Sequence, residues 1–143
     1  MPPSSPSKSI WITLFATWLV AMIATLGSLF FSEVMLFPPC VMCWYQRICM
    51  YPLALMLFIA LLFNDNKVFL YAMPLVVAGL FFALYHNFLS WGIIPQSAAP
   101  CTQGVSCTSE YINWFGFISI QFLSLSAFVM LFILLLVLKR KEK

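Results

Sequence analysis

The chain has 143 residues, of which 64% are hydrophobic and 8% charged, and its formal net charge is +3. A soluble domain of this size could not solvate so apolar a surface, so the composition excludes a soluble enzyme and indicates a polytopic membrane protein. The basic residues are sparse and lie at the ends and turns of the chain, which excludes a nucleic-acid-binding surface.

Four apolar segments are each long enough to cross the roughly 30 Å hydrocarbon core of a bilayer. The spans are predicted over about 10–31, 41–63, 68–89 and 115–138. The outer connections cover about 32–40 and 90–114. A cleaved signal peptide is the alternative for the first span, but the apolar run is longer than a normal signal-peptide core and lacks a clear small-x-small cleavage site. The predicted fold class is therefore an all-α membrane protein, a single four-transmembrane-helix bundle over residues 1–143.

The positions of Lys and Arg orient this bundle. Outside the spans, these residues occur only in the N-terminal tail, in the connection between the second and third spans, and in the C-terminal tail. With four spans, all three segments share one side of the membrane. The positive-inside rule therefore predicts that both termini are cytoplasmic and that the two cysteine-bearing loops are extracytoplasmic, on the side where disulfides form and persist.

The cysteines fall into two pairs and one remaining residue. Cys40 and Cys43 form a C-x-x-C pair at the N-terminus of the second span, where the helix dipole and unpaired N–H groups stabilise a thiolate and favour thiol–disulfide exchange. Cys101 and Cys107 lie in the second outer loop and can close as a disulfide. Cys49, inside the second span, is expected to be a small buried apolar residue.

Spacing alone leaves three interpretations of the two pairs open. They could exchange electrons, which we favour because both pairs lie on the oxidising side. They could instead be passive structural disulfides, including one bridge between the loops. A zinc site built from four cysteines is the third interpretation, but pairs tethered to helix ends in an oxidising compartment match zinc modules poorly. We therefore predict no metal ligands.

Two further residues are candidates for the same site. Arg47 lies one turn beyond Cys43, inside the span, where a guanidinium costs about 3 kcal/mol and usually faces a functional site or a partner. It could hydrogen-bond a quinone oxygen and stabilise charge as a thiolate donates electrons. The alternative is that Arg47 snorkels to the outer headgroups, paired with Glu33 or Glu110. His86, the only histidine, either belongs to the same pocket or is a hydrogen-bonded packing residue.

The residues around the C-x-x-C pair resemble a known family. The run Pro-Cys-Val-Met-Cys-Trp-Tyr-Gln-Arg-Ile over 39–48, followed by Met-Tyr-Pro-Leu over 50–53, is similar to the signature of the DsbB/BdbC family of disulfide bond formation proteins. The Trp-Tyr-Gln-Arg form resembles the Bacillus-type BdbC branch in particular. The stretch Tyr111–Ile118 and the second cysteine pair agree with the same family, so that the similarity covers almost the whole chain.

The resemblance implies a quinone-dependent thiol–disulfide oxidoreductase of the bacterial cell membrane. Its implied partner is an extracytoplasmic thioredoxin-like thiol oxidase of the DsbA or BdbD kind, which it would reoxidise. The Bacillus-type resemblance favours menaquinone as the cofactor, and ubiquinone is the alternative. Arg47, Cys43 and His86 are the implied quinone-binding residues; His86 falls near a histidine that the family places by the quinone.

The resemblance also implies an order of exchange among the four paired cysteines. The partner's reduced thiol would attack Cys101, giving a mixed disulfide. Cys107 would pass the electrons to Cys40 through an interloop disulfide, and Cys43 would reduce the quinone, with Arg47 stabilising the developing charge.

The chain departs from the family at three points. Cys49 stands where the family usually has an aliphatic residue, Gln121 stands where relatives commonly carry proline, and the second outer loop is shorter than in the DsbB branch.

Two other classes of protein are alternatives to this enzyme. A vitamin K epoxide reductase-like enzyme would have its C-x-x-C near the last helix. A transporter subunit or scaffold would distribute polar residues through several spans or keep its disulfides inert. The position of the C-x-x-C pair and the single intramembrane charge favour the enzyme.

Overall fold

The computed structural model describes residues 7–65, 67–100, 106–107 and 119–143. Four long helices form in these ranges: α1 Lys8–Leu29, α2 Val41–Phe63, α3 Val68–Ser90 and α4 Ile120–Glu142. All four are long and apolar enough to cross a membrane, which confirms the predicted four-helix membrane bundle. The predictions for Cys101, Glu110 and the Tyr111–Ile118 motif concern residues outside the described ranges.

The first helix is longer than predicted. It begins at Lys8, and a π-helical segment, Phe30–Val34, continues it beyond Leu29, so that the predicted outer connection 32–40 is shorter than expected. The helical backbone stops there because Leu36 adopts a left-handed conformation with φ 56° and the two prolines that follow cannot continue a helix. The apolar run alone did not indicate the extra π-helical turn.

The predicted fourth span, 115–138, is corrected at both ends. Its helix starts at Ile120, because Ser119 is extended (φ −107°, ψ 166°) and its side chain accepts a hydrogen bond from the N–H of Phe122. This is N-cap geometry. The helix runs on to Glu142, because basic residues in a last turn interact favourably with the helix dipole.

The four helices pack as a closed ring. α1 packs against α2 and α4, and α3 packs against the same two helices. At one end, Lys141 Nζ donates to Thr13 Oγ1 over 2.8 Å, which joins the end of α4 to the start of α1. At the opposite end, the start of α2 meets the end of α3. This second end holds the cysteine pair.

The interior of the ring is mostly apolar, with a few buried polar side chains such as His86 among the apolar ones, and most of the outer surface is apolar as well. The largest fully buried side chains come from α2, α3 and α4, including Leu53, Leu57, Val76, Leu131 and Leu135. Cys49 lies in this core as a free, buried thiol, as expected for a small apolar residue. Large apolar side chains also face outward on every helix, as a lipid-facing surface requires.

α3 and α4 are in tight contact at Gly79. The buried ring of Phe128 packs directly over this glycine, so that a Cβ placed there would overlap the ring. A side chain larger than hydrogen would force either the ring or the helix to move.

We expect Gly79→Ala to lower the free energy of unfolding by about 1–3 kcal/mol, the usual cost of overpacking a core. Thermal unfolding in detergent measures this loss. Gly27→Ala is the matched control, because a Cβ at Gly27 meets no atom within 4 Å. Combining Gly79→Ala with Phe128→Leu should recover part of the stability. Equal melting temperatures for the two single variants would contradict the predicted overlap.

Candidate redox site

The C-x-x-C pair lies where an extended segment enters α2. Cys40 is the N-cap, with φ −75° and ψ 170°, and its carbonyl accepts the first helical hydrogen bond from the N–H of Trp44. Cys43 is in the first turn, three residues later, so that both side chains lie on one side of the helix. Their Sγ atoms are 3.1 Å apart, and both are free thiols. The local fold therefore holds two thiols at exchange distance.

His86 reaches the pair from the end of α3. Its Nε2 atom lies 3.8 Å from Cys40 Sγ and 3.0 Å from the carbonyl oxygen of Cys107. Cys40, Met42 and Cys107 form a small buried cluster. Cys107 is disulfide-bonded, and Cys101, its predicted partner, lies outside the described residues. One imidazole thus contacts a member of each cysteine pair.

A hydrogen-bond chain fixes the orientation of this imidazole. The Gln46 Nε2 amide lies 3.2 Å from His86 Nδ1, and Ser124 Oγ donates to Gln46 Oε1 over 2.6 Å. Because the amide donates to Nδ1, the imidazole hydrogen is on Nε2, facing Cys40 and the Cys107 carbonyl. The chain crosses α2, α3 and α4, and both Gln46 and His86 are buried.

Arg47 is held on the other side of the pair by α1. Its Nε donates to Ser28 Oγ over 2.9 Å and its Nη2 donates to the Ser28 carbonyl over 3.0 Å. The guanidinium also lies 5.4 Å from the centroid of the Trp44 ring. Within the part of the chain that the structure describes, Arg47 forms no ion pair with Glu33, one of the two partners considered from the sequence, and the other, Glu110, lies outside the described residues.

These groups surround a cavity of about 520 Å³, within the size range of small-molecule sites. Most of its lining is apolar and comes from α1, α2 and α4, and its polar side chains include Cys40, Cys43, Arg47 and His86. A larger depression of about 700 Å³ lies along α3, but only apolar side chains line it. The thiols and the guanidinium therefore identify the smaller cavity as the candidate site.

The surroundings of Cys40 favour its thiolate. A hydrogen bond with the Cys43 thiol is the main cause that lowers the pKa of Cys40 well below its usual range, and the nearby His86 lowers it further. Burial opposes both effects without cancelling them. The Cys43 thiol and His86 therefore both favour loss of the proton from Cys40.

The structure brings five of the six predicted site residues to one place: Cys40, Cys43, Arg47, His86 and Cys107. Three polar residues that hold them were not predicted from the sequence. Gln46 and Ser124 orient His86, and Ser28 holds Arg47. Each lies in an otherwise apolar helix, and that is the only signal that marks them in the sequence.

The fold and the site together define a class: a membrane protein with a thiol pair at a helix mouth, built for thiol–disulfide chemistry. The family model described as disulfide bond formation protein DsbB matches residues 7–138. The chain therefore belongs to the DsbB family of disulfide bond formation proteins, which confirms the predicted disulfide-forming oxidoreductase.

Individual relatives agree with this assignment over almost their full length. The chain is 48% identical over 136 residues to disulfide bond formation protein C of Bacillus subtilis, covering 94% of this chain and 98% of the relative. It is 46% identical over 136 residues to a probable disulfide formation protein C of Halalkalibacterium halodurans, covering 95% and 99%. A probable disulfide formation protein of Metapseudomonas resinovorans is 44% identical over 137 residues, covering 95% of each chain. No solved structure matches the chain significantly.

The lowered pKa of Cys40 leads to a test. Because its thiolate persists below the usual thiol range, alkylation of Cys40 in the reduced protein should continue at mildly acidic pH, where an ordinary thiol is protonated. Cys43→Ala should move the midpoint of the alkylation rate to higher pH, and His86→Ala should do so by less, in the order of the two causes. Site-resolved mass spectrometry after iodoacetamide measures both rates.

Cys49→Ser is the control for these variants, because Cys49 belongs to the main core cluster and not to the cluster of Cys40, Met42 and Cys107. It should leave the alkylation profile of Cys40 unchanged. A profile of Cys40 centred in the ordinary thiol range in the unmodified protein would contradict the assignment of the thiolate.

Proposed function

We propose that this protein is a quinone-dependent oxidoreductase that reoxidises an extracytoplasmic thioredoxin-like thiol oxidase of the DsbA or BdbD type. The observation that supports it best is the packing of Cys107 against Cys40, with His86 between their polar groups. Two cysteine pairs that meet at one buried cluster can exchange electrons without a diffusing carrier.

We further propose that the redox end of the bundle faces outward from a bacterial cell membrane. Lys8, Lys67 and the basic end of α4 are at the opposite end of the helices, where the positive-inside rule puts the cytoplasm. Residues 1–143 act as one domain, because each helix contacts two others around the ring. The partner then reaches the second outer loop from the oxidising side.

The proposed exchange begins at the outer pair. A thiolate of the reduced partner attacks Cys101, a mixed disulfide forms, and Cys107 leaves as a thiolate. Cys107 then attacks Cys40 in the oxidised inner pair, which forms a Cys107–Cys40 disulfide and releases Cys43 as a thiolate. The partner's second thiol next displaces Cys101, which completes the partner's own disulfide.

The remaining exchange returns the outer pair to its oxidised form. The freed Cys101 thiolate attacks Cys107 and displaces Cys40. A thiol with a lowered pKa leaves faster, so the hydrogen bonds that stabilise the Cys40 thiolate assist this step. The net result is an oxidised partner, an intact outer disulfide and a reduced inner pair that holds two electrons.

The cavity next to Cys43 is the proposed quinone site. Its size and apolar lining suit a lipid-soluble ring, and Arg47, Cys43 and His86 would hold it. A bound quinone supplies the acceptor for the two electrons and two protons that leave as the Cys40–Cys43 disulfide re-forms. The guanidinium, fixed by Ser28, stabilises negative charge on the Cys43 side of the cavity. We favour menaquinone, because of the similarity to Bacillus proteins, over ubiquinone.

The relay is tested by quinone reduction with purified protein and a reduced thioredoxin-like partner. We expect the unmodified protein to consume menaquinone, and Cys43→Ser and Cys107→Ser each to abolish consumption, because each removes a sulfur from the proposed chain of exchanges. Cys49→Ser should retain activity, since that thiol is buried in the core. If Cys107→Ser were as active as the unmodified protein, the outer pair would be a structural disulfide and the relay would be wrong.

The role of Arg47 is tested with Arg47→Met. Loss of a hydrogen bond from a charged group costs about 1.5–3 kcal/mol, which corresponds to a decrease of about 10- to 100-fold in kcat/KM for quinone. Ser28→Ala should give a smaller decrease, because it releases the guanidinium without removing it. Trapping of the mixed disulfide with the partner should be unchanged in both variants. A normal kcat/KM for Arg47→Met would exclude the guanidinium from the quinone site.

A further inference from the structure

We propose that the reduced site also binds a thiophilic divalent cation such as Zn²⁺, with Cys40, Cys43 and His86 as its ligands. The three ligand atoms, two Sγ and one imidazole nitrogen, all lie within 4.8 Å of one another. This site differs from the four-cysteine arrangement considered from the sequence, because it uses one pair and a histidine. It goes beyond the proposed function and needs neither a quinone nor a partner.

The distances are close to those of a tetrahedral zinc site. With Zn–S bonds near 2.3 Å and Zn–N bonds near 2.0 Å, two sulfurs stand about 3.8 Å apart and a sulfur and a nitrogen about 3.5 Å apart. The Cys40 Sγ to His86 Nε2 distance is 3.8 Å, and the Sγ to Sγ distance is 3.1 Å. The two sulfurs must separate, and rotation of the Cys43 side chain, whose Sγ lies within 4.8 Å of the imidazole nitrogen, would bring it to its position around the ion. The adjoining cavity leaves room for water as a fourth ligand.

The residues behind His86 can support the ligand form of the imidazole. Binding through Nε2 requires the imidazole hydrogen on Nδ1, which then needs an acceptor. Rotation of the Gln46 side-chain amide by half a turn presents Gln46 Oε1 to His86 Nδ1. The amide nitrogen of Gln46 can then donate to Ser124 Oγ. The same hydrogen-bond chain therefore serves both tautomers, and the helices need not move.

Binding of the cation would have two consequences. Both sulfurs that must form the inner disulfide would be bound to the metal, so the oxidation of the pair would be blocked. His86 Nε2 would also give up its 3.0 Å hydrogen bond to the Cys107 carbonyl. The cation would thus lock the reduced pair and loosen the attachment of the Cys107 segment.

The test uses the full-length protein with Cys101→Ser and Cys107→Ser, so that only the inner pair supplies neighbouring thiols. The reduced protein is titrated with Zn²⁺ against a chromophoric chelator, and with Co²⁺, whose absorption bands report thiolate ligation in tetrahedral geometry. We expect one equivalent of either ion to bind the reduced protein. The same protein with the inner disulfide formed should bind none, and this comparison needs no further variant.

Single changes in this background identify the ligands. Cys40→Ser, Cys43→Ser and His86→Ala should each weaken binding by more than the roughly 10- to 100-fold that the loss of an outer-shell partner costs, whereas Gln46→Leu should fall within that range. Cys49→Ser should leave the affinity unchanged. Equal binding by the reduced and oxidised proteins, or no effect of His86→Ala, would overturn the proposal. Because quinone and partner are both absent, failure here would not bear on the relay.

Discussion

The arrangement of this site depends on the hydrogen bonds of one buried imidazole. His86 is only 1% exposed, and a polar group at that depth is costly unless each of its nitrogens has a partner. Gln46 satisfies Nδ1, while Cys40 and the Cys107 carbonyl share Nε2. Meeting that requirement draws α2, α3, α4 and the outer segment together at one end of the bundle. The arrangement of the site therefore follows from the need to give both nitrogens of the buried His86 ring a hydrogen-bond partner.

Arg47 imposes a similar requirement on α1. A charged group inside a span must be paired or hydrogen-bonded, and Ser28 meets this need with its hydroxyl and its carbonyl. The contact attaches α1 to α2 beside the cysteine pair and completes the wall of the cavity. The two polar attachments lie on opposite sides of the thiols. Residues of both attachments, Ser28, Arg47, Gln46 and His86, line the cavity.

Much of this architecture could be predicted from the sequence. The thickness of the hydrocarbon core fixes how many apolar residues a spanning helix needs, so the length of each apolar run indicates a span. The second span, 41–63, matches α2, and the cysteine signature indicated the family. The start of α4 could not be found in this way, since Ser119 caps a helix inside a continuous apolar run. Gln46, Ser28 and Ser124 were missed for a related reason. Their importance depends on which helices face each other, and periodicity within one span does not show that.

The two thiols of the C-x-x-C pair have different surroundings, and this difference gives the proposed relay a direction. Cys40 is buried against His86 and Cys107, where exchange with the outer pair would occur. Cys43 is one turn from Arg47, and both line the cavity with Cys40. A thiolate stabilised on Cys40 is a good leaving group toward the loop, while a positive charge beyond Cys43 favours the departure of electrons toward the membrane. Two residues three positions apart can therefore connect a protein disulfide to a lipid-soluble acceptor. At the N-terminus of α2, Cys40 lies beside His86 and Cys43 lies one turn from Arg47.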